Sequence, residues 1–218
     1  AAGCATALEL AKRGLSVTLV ERDSIGSHAS GFAYGGLFAT TGTGIPGPLL
    51  PVARRGVEMH RKLAPELAES TGIDVELRER DTLDVALTDD ELSALLKEAE
   101  WQRQEGFRVT ELDAQEVLDY EPSLTPNIVG GVLQEDHYEL DSYRYTLALA
   151  TTFEKSGGTI RHGSVAGLEA SGGTVNGVRL TSNEVVAAGA VVIATGPWAG
   201  GDEISGLAGL PVTPLKGE

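Results

Sequence analysis

The sequence predicts an α/β protein with two domains, one of them cut off by the ends of the chain, and three observations support this fold class. A helical pattern over 1–13 passes through a glycine into the short apolar strand 15–20, which is typical of the second half of a strand–helix–strand unit. Four short strand patterns between 159 and 186, separated by turn residues, indicate an antiparallel meander. A last apolar strand, 190–195, stops at a Gly-Pro pair.

Composition and charge narrow the class of protein. Hydrophobic residues make up 41% of the 218 residues and charged residues 22%, which is ordinary for a globular protein. The net charge of −15 repels phosphate backbones and anionic lipid, so we expect no nucleic-acid partner. The most apolar stretch, 185–199, is shorter than the roughly 18 residues that span a bilayer, so no transmembrane segment is expected. A single cysteine permits no internal disulfide, and a cytoplasmic location is the default.

Local signals justify the elements in chain order. Gly14 ends the first helix, and Thr88 and Asp113 each stand three residues before a glutamate, which is the spacing of a helix capping box. Asp141 can cap the helix that the Gly157-Gly158 pair terminates. The expected elements are a glycine-rich loop at 26–47, helices at about 52–70, 89–105, 114–120 and 142–156, and strands at 75–80, 82–87, 128–133, 159–163, 165–170, 175–180, 184–186 and 190–195.

A dinucleotide site is indicated at the start of the chain. In the pattern G-x-G-x-x-G, the last glycine lets helix and strand pack closely while a pyrophosphate rests on the helix N-terminus, and Gly3 can occupy that position. An acid on the ribose should end the next strand, and Glu21 does so 18 residues later. These two residues alone fit a helix-start glycine and a solvated glutamate equally well. The strand 190–195, ending at Gly196, adds a second strand tip and favours the dinucleotide site.

Five motifs then resemble one family. They are AGCATALELAKRG (2–14), VTLVER (17–22), SGFAYGGL (30–37), VVIATGPW (191–198) and PLKGE (214–218). Together they are similar to the FAD-dependent amino acid oxidase superfamily, which includes D-amino acid, glycine and sarcosine oxidases and dehydrogenases. The resemblance runs from end to end but covers only part of such a protein. We therefore expect the sequence to begin inside a domain and to be truncated at both ends.

The resemblance assigns cofactor-binding positions. Gly3 matches the pyrophosphate-turn glycine and Glu21 the ribose-binding acid. Some relatives link FAD covalently through a histidine, but the aligned residue here is Ala33, which implies non-covalent FAD. Trp198 matches a position near the cofactor, although packing in the core is a slightly favoured alternative. The remaining positions are Arg22 beside the adenosine, Ser30, Ala33, Tyr34, Gly35, Gly36 and Leu37 along the pyrophosphate and flavin, Val165 at the adenine, and Thr195 and Gly196 at the second strand tip.

The resemblance also implies an activity. The expected reaction is oxidation of the C–N bond of an amino acid or N-methyl amino acid, by hydride transfer to flavin and hydrolysis of the resulting imine. Oxygen or another, membrane-associated acceptor would take the electrons. Two alternatives stay open: a flavin-dependent dehydrogenase of a hydroxyl substrate such as glycerol 3-phosphate, and a truncated, non-catalytic nucleotide-binding remnant. The sequence assigns no catalytic residue and leaves the oligomeric state open, a homo-oligomer included.

The expected domain organisation follows the same resemblance. Residues 1–72 and 138–200 would form a discontinuous FAD-binding domain of the Rossmann-like, two-dinucleotide-binding type that includes the meander. Residues 73–137 would form an α+β substrate-side domain, and 201–218 the start of a further segment that is cut off.

Competing chemistries find less support. The four histidines lack metal-ligand spacing, so no metal site is assigned. Ser27 and Ser30 stand among glycines but not in the G-x-S-x-G pattern of serine hydrolases. The glycine-rich stretch 42–47 lacks the Lys-Ser/Thr of a P-loop. Cys4, near a helix N-terminus, is interpreted as a small buried packing residue.

Overall fold

The computed structural model describes residues 1–42 and 44–200, which form two compact units. The first unit contains residues 1–33, 67–73 and the described part of 142–218, and the second contains 34–66 and 74–141. The sequence expectation grouped residues 34–66 with the dinucleotide-binding segments, whereas here they group with the strands and helices of the second unit. The assignment of cofactor binding and substrate binding to these segments is proposed below.

The first unit contains a parallel strand pair and an antiparallel meander. Its elements are α1 (Ala2–Lys12), β1 (Thr18–Glu21), α2 (Ala29–Phe32), α6 (Ser142–Lys155), β6 (Thr159–His162), β7 (Val165–Ser171), β8 (Thr174–Leu180), β9 (Val185–Ala187) and a 3-10 helix (Gly196–Gly200). β1 pairs with β6 in parallel, from Thr18 opposite Thr159 to Glu21 opposite His162. β7, β8 and β9 form the expected antiparallel meander.

Helix α1 ends as its sequence predicts. Gly14 has a φ of +82°, which L side chains rarely adopt, and its N–H bonds to the Ala11 carbonyl oxygen while that of Leu15 bonds to Leu10. This glycine-based end turns the chain into β1. α1 contacts α6, and Leu8, Leu149 and Phe153 are fully buried in the core of this unit.

The second unit is built on the long strand β5 (Gly130–Glu139), which pairs antiparallel with three others. Those partners are β2 (Gly36–Leu37), β3 (Arg78–Ala86) and β4 (Val109–Asp113). Helices α4 (Asp89–Gln104) and α5 (Ala114–Tyr120) contact this sheet. Helix α3 (Leu50–Thr71) contributes its residues up to Glu66 to this unit and the rest to the first.

Both predicted capping signals of this unit are confirmed. The Thr88 hydroxyl accepts a hydrogen bond from the backbone N–H of Glu91 at 3.2 Å. Asp113 and Glu116 form a complete capping box, each carboxylate accepting from the backbone N–H of the other residue. These bonds satisfy N–H groups that a helix N-terminus leaves unpaired.

The predictions for five strands need correction. The expected strand 190–195 does not form within the described residues, because an apolar run becomes a strand only beside a hydrogen-bonding neighbour. The segment 159–163 pairs with β1 rather than joining the meander. The strands expected at 75–80 and 82–87 are one strand, β3, whose register shifts between Arg80 and Thr82. The strand expected at 128–133 continues to Glu139 because β3 and β2 pair along its whole second half.

Candidate cofactor site

The start of α1 packs closely against neighbouring segments at Gly3. A Cβ built on Gly3 would lie 3.3 Å from Cβ of Ala194 and 3.6 Å from Cδ1 of Leu19. The first-turn N–H groups of a helix lack intrahelical partners and carry the positive end of its dipole, so they suit a phosphate. The Ala1 nitrogen donates to Oγ of Ser30 at 2.9 Å, which brings Ser30 to this helix end. Ser30 therefore lies at the helix end that contains Gly3.

Glu21 ends β1 at the edge where parallel strands of α/β proteins bind ligands. Its carboxylate oxygen Oε1 accepts from the backbone N–H of Asp23 at 3.0 Å, and its carbonyl oxygen accepts from the N–H of Gly163 at 2.9 Å. The side chain is half-buried. One carboxylate oxygen thus fixes the side chain, while further acceptor capacity is left for a diol.

A cavity of about 520 Å³ is lined mainly by residues that follow Glu21 directly in the chain. Its lining residues are Arg22, Asp23, Ser24, Ser27, His28 and His162. Within it, Oδ2 of Asp23 accepts from Nε of Arg22 at 2.9 Å and lies 2.7 Å from Nε2 of His28. The hydrogen bonds from His28 and Arg22 hold the pKa of Asp23 below its usual range, so this carboxylate stays charged.

Trp198 lies against the same residues. Its ring centroid is 4.6 Å from Cζ of Arg22 and 5.0 Å from the His28 ring, which meets it edge-on. The side chain is 43% exposed, so the expectation that Trp198 packs in the core is wrong. The cation–π contact with Arg22 explains why a large indole can stay at the surface here.

Among the residues that the structure describes, Ser27 presents the one buried hydroxyl of this lining that has no hydrogen-bond partner. A buried polar atom without a partner costs free energy, so a polar atom of a ligand or an ordered water is the partner expected for it. Together with the Gly3 approach and the Glu21 carboxylate, this hydroxyl fits the adenosine and pyrophosphate portion of a dinucleotide.

Sequence reasoning missed five residues of this lining. Asp23, Ser24, Ser27, His28 and His162 carry no recognisable motif spacing. His162 reaches the cavity because β6 pairs with β1, and that pairing has no local sequence signal. For the other four residues, the one signal in the sequence was their position directly after Glu21, the last residue of a predicted strand.

The loop expected along the flavin is fixed to β5 within the second unit. Gly35 has a φ of +86°, and a Cβ there would lie 1.9 Å from the carbonyl oxygen of Leu140, so no other residue fits. Gly36 and Leu37 form β2 against Glu139 and Tyr138. The Tyr34 ring is 73% exposed, and its hydroxyl donates to Oε2 of Glu139 at 3.1 Å.

The remaining expected positions lie in the first unit. The Ala33 carbonyl oxygen accepts from Oγ of Ser142 at 2.7 Å. Val165 opens β7 opposite Leu180. The Thr195 carbonyl oxygen accepts from the Trp198 N–H at 3.3 Å, and Gly196 begins the 3-10 helix with a φ of +58°. The PLKGE motif (214–218) and the expected segment 201–218 lie outside the described residues.

The burial of Cys4 and the spacing of possible metal ligands bear on other candidate chemistries. Cys4 is buried, and its burial raises the pKa of the thiol, which confirms the packing interpretation. Across 1–42 and 44–200, no group of three or more His, Cys, Asp or Glu side chains could hold a metal ion. The helices in those ranges include none that is long and apolar enough to cross a membrane.

Comparison with known proteins agrees with this geometry. A family described as FAD dependent oxidoreductase, DAO, matches residues 1–218. Glycine oxidase of Geobacillus kaustophilus is 33% identical over 99% of this chain and 57% of its own length. D-amino acid dehydrogenase of Cereibacter sphaeroides is 31% identical over 75% of this chain and 38% of its own length.

Solved structures agree as well. The crystal structure of glycine oxidase from Geobacillus kaustophilus superposes with a TM-score of 0.87 at 30% identity, over 95% of this chain and 55% of that one. The α/β fold class expected from the sequence is thereby confirmed. The chain spans about half the length of these glycine oxidase relatives.

Proposed function

The chain belongs to the DAO family of FAD-dependent oxidoreductases, and from this premise we propose that it holds FAD non-covalently and oxidises the C–N bond of an amino acid or N-methyl amino acid. The names of its relatives support the substrate class, because glycine oxidase and D-amino acid dehydrogenase are each at least 31% identical to this chain. Transfer of electrons to oxygen or another acceptor, and a cytoplasmic location, are parts of the same proposal.

One observation carries the cofactor half of the proposal. Gly3 leaves the α1 N-terminus open beside Ala194, and Glu21 ends the following strand. The helix end supplies backbone N–H groups for a pyrophosphate, and the carboxylate accepts from the two hydroxyls of a ribose. A 2′-phosphate would be repelled by the same carboxylate, which favours FAD over a phosphorylated dinucleotide.

The residues of the candidate site have separate roles in the proposed reaction. FAD, when bound, would supply the hydride acceptor for the carbon that bears the amine, and the imine so formed would be hydrolysed by water. Arg22 and Trp198 stack at the cavity that would receive the adenosine, and the Ser27 hydroxyl would pair with one of its polar atoms. The loop 33–37 would follow the flavin, where glycines allow close backbone approach. Ala33, unlike histidine, offers no nucleophile for a covalent link.

The domain roles follow from these tasks. We assign the segments 1–72 and 138–200 to cofactor binding and the segment 73–137 to the substrate side. The pairing of Gly36 and Leu37 with Glu139 and Tyr138 fits this assignment, because all four residues fall in the segments assigned to cofactor binding.

Anaerobic reduction of the bound flavin tests the proposal. The FAD-loaded protein is mixed without oxygen with glycine, sarcosine or D-alanine, and in a parallel series with glycerol 3-phosphate. Bleaching of the flavin absorbance by the first series alone is the expected result. Bleaching by glycerol 3-phosphate alone, or by neither series, contradicts the proposed substrate class. Acid precipitation of the same protein should release all flavin into the supernatant, whereas flavin that stays on the polypeptide contradicts non-covalent binding.

A further inference from the structure

Positive charge is concentrated on one short part of an acidic protein. The chain has 17 Lys and Arg against 32 Asp and Glu, yet Arg54, Arg55, Arg61 and Lys62 stand within nine residues of α3 that hold a single acid, Glu58. A local excess of cations in such a chain opposes the overall field. This segment of α3 belongs to the second unit, as do all residues of the cavity described below.

A cavity of about 210 Å³ lies along this part of α3. Four of its lining residues, Arg54, Val57, Glu58 and Arg61, are spaced so that they share one face of the helix. Tyr138 of β5 lines it from the sheet. A cavity of this size accommodates a small ligand of a few heavy atoms rather than a cofactor.

Aromatic rings hold both arginines in place. Cζ of Arg61 is 4.4 Å from the centroid of Tyr138, and Cζ of Arg54 is 4.3 Å from that of Phe107. A stacked guanidinium keeps its N–H groups free at its edge and loses little further side-chain entropy when it binds an anion.

The acids of the cavity are already paired with other cations. Glu58 accepts from Arg55 at 2.7 Å and from Lys62 at 2.6 Å. Asp136 accepts from both Nε and an Nη of Arg108, with the Nε bond at 2.6 Å.

Arg61 is left without such a partner. It is near enough to Asp136 to lower the pKa of that carboxyl, yet within 1–42 and 44–200 it forms no ion pair. Arg54 bonds to Glu105, through both the carbonyl oxygen and the carboxylate. Arg61 is therefore the arginine of this cavity that has no ion-pair partner in those ranges.

The buried histidine that lines the cavity, His137, adds no charge. His137 is buried, with Nε2 2.9 Å from Oγ1 of Thr40 and Nδ1 2.8 Å from Oγ1 of Thr82. Burial lowers the pKa of His137, so the ring is neutral at physiological pH. A bound anion would accordingly depend on the arginines and not on this histidine.

We propose that this cavity is a binding site for a small oxyanion, a carboxylate or a phosphate, held by Arg61 with Arg54 as its second cation. The planar guanidinium can give two parallel N–H bonds to either group, which is why the two chemistries share one site. The proposal rests on the second unit alone and does not depend on the substrate class proposed above.

Titration with inorganic phosphate, and separately with acetate, tests the site. Binding is followed by the side-chain Nε resonances of the arginines in NMR spectra of the full chain, with and without saturating FAD. Saturable shifts of the Arg61 and Arg54 resonances are expected with at least one of the two anions, and their order of affinity identifies the preferred chemistry. Equal shifts of all arginine resonances, or no saturation, would overturn the site.

Two variants separate the site from general charge effects. Arg61→Gln should weaken anion binding at least tenfold, whereas Arg13→Gln, which removes the same charge from the residue directly after α1, should change it less than twofold. Arg61→Lys keeps the charge without the planar fork and should give an intermediate affinity. Equal loss in the Arg61→Gln and Arg13→Gln variants would show adventitious ion binding and would refute the proposal. Circular dichroism establishes that each variant is folded.

Discussion

Gly3 and Ala194 approach each other so closely that a methyl group on Gly3 would stand 3.3 Å from the Ala194 Cβ. That spacing is tighter than most Cβ contacts, so one of the two segments would have to yield by a few tenths of an ångström. The close packing of the start of α1 against the segment that contains Ala194 therefore favours glycine at position 3.

Substitutions at Gly3 should show this restriction. Gly3→Val should lower the free energy of unfolding by about 1–3 kcal/mol through overpacking. Gly56→Ala is the matched control, because Gly56 lies inside α3 with nothing within 4 Å of its added Cβ, and it should raise stability by about 0.5–1 kcal/mol. Urea unfolding followed by circular dichroism measures both. A Gly3→Val protein as stable as the wild type would show that the two segments separate freely.

Removal of the Glu21 charge should weaken FAD binding. Hydrogen bonds to a charged group contribute about 1.5–3 kcal/mol, so Glu21→Gln should raise the dissociation constant of FAD by about 10–100-fold. Quenching of flavin fluorescence provides the measurement. Glu9→Gln, on the surface of α1 beside Arg13, serves as the control and should leave the affinity unchanged. Equal affinities in the Glu21→Gln and wild-type proteins would remove Glu21 from the site.

Ser27→Ala should have opposite effects on stability and on cofactor affinity. Without ligand, the variant loses a buried hydroxyl that has no partner among the described residues, so its free energy of unfolding should rise, by up to about 1 kcal/mol. With FAD, it loses a hydrogen bond, and affinity should fall by about three- to tenfold. Thermal unfolding with and without FAD measures both. If the variant is less stable in both conditions, Ser27 has a structural role instead.

Alkaline pH should destabilise the first unit through Tyr145. Burial raises the pKa of this tyrosine from 10 to about 12, so the folded protein keeps its proton where the unfolded chain releases it. Its contribution is complete below pH 10 and is lost as pH rises from 10 to 12, a decrease of about 2–3 kcal/mol.

Tyr145→Phe isolates that contribution. Unfolding free energies from pH 8 to 11 should fall less steeply in this variant than in the wild type. Tyr143→Phe is the control, since Tyr143 stands two residues earlier on α6 and is 47% exposed. Identical pH profiles for Tyr145→Phe and wild type would mean that Tyr145 ionises alike in folded and unfolded chains.

The parts of the fold that sequence predicts well are those decided within a few residues. The caps at Thr88 and Asp113 and the glycine end at Gly14 each depend on neighbours at most five positions away. The parallel pairing of β1 with β6 depends on residues about 140 positions apart, and no local pattern announces it. The run 190–195 is apolar enough for a strand but lacks a described neighbour to pair with.

The same division applies to the candidate site. Gly3 and Glu21 could be found because a known spacing relates them. The contact of Trp198 with Arg22 and the unpaired hydroxyl of Ser27 arise only when distant segments meet. A tryptophan and a serine occur in many surroundings, so their residue types alone do not indicate a site. For this reason the sequence analysis slightly favoured packing of Trp198 in the core.

The β1–β6 pairing also imposes an order on biosynthesis. β1 is complete at Glu21, but its partner is complete only at His162, and α6, which α1 contacts, immediately precedes that partner. At about 5–20 residues per second, the ribosome needs on the order of ten seconds to supply it. During that interval the apolar side of α1, which includes Leu8, is not yet buried against α6. The nascent chain therefore exposes a surface that chaperones can bind before its cofactor site is complete.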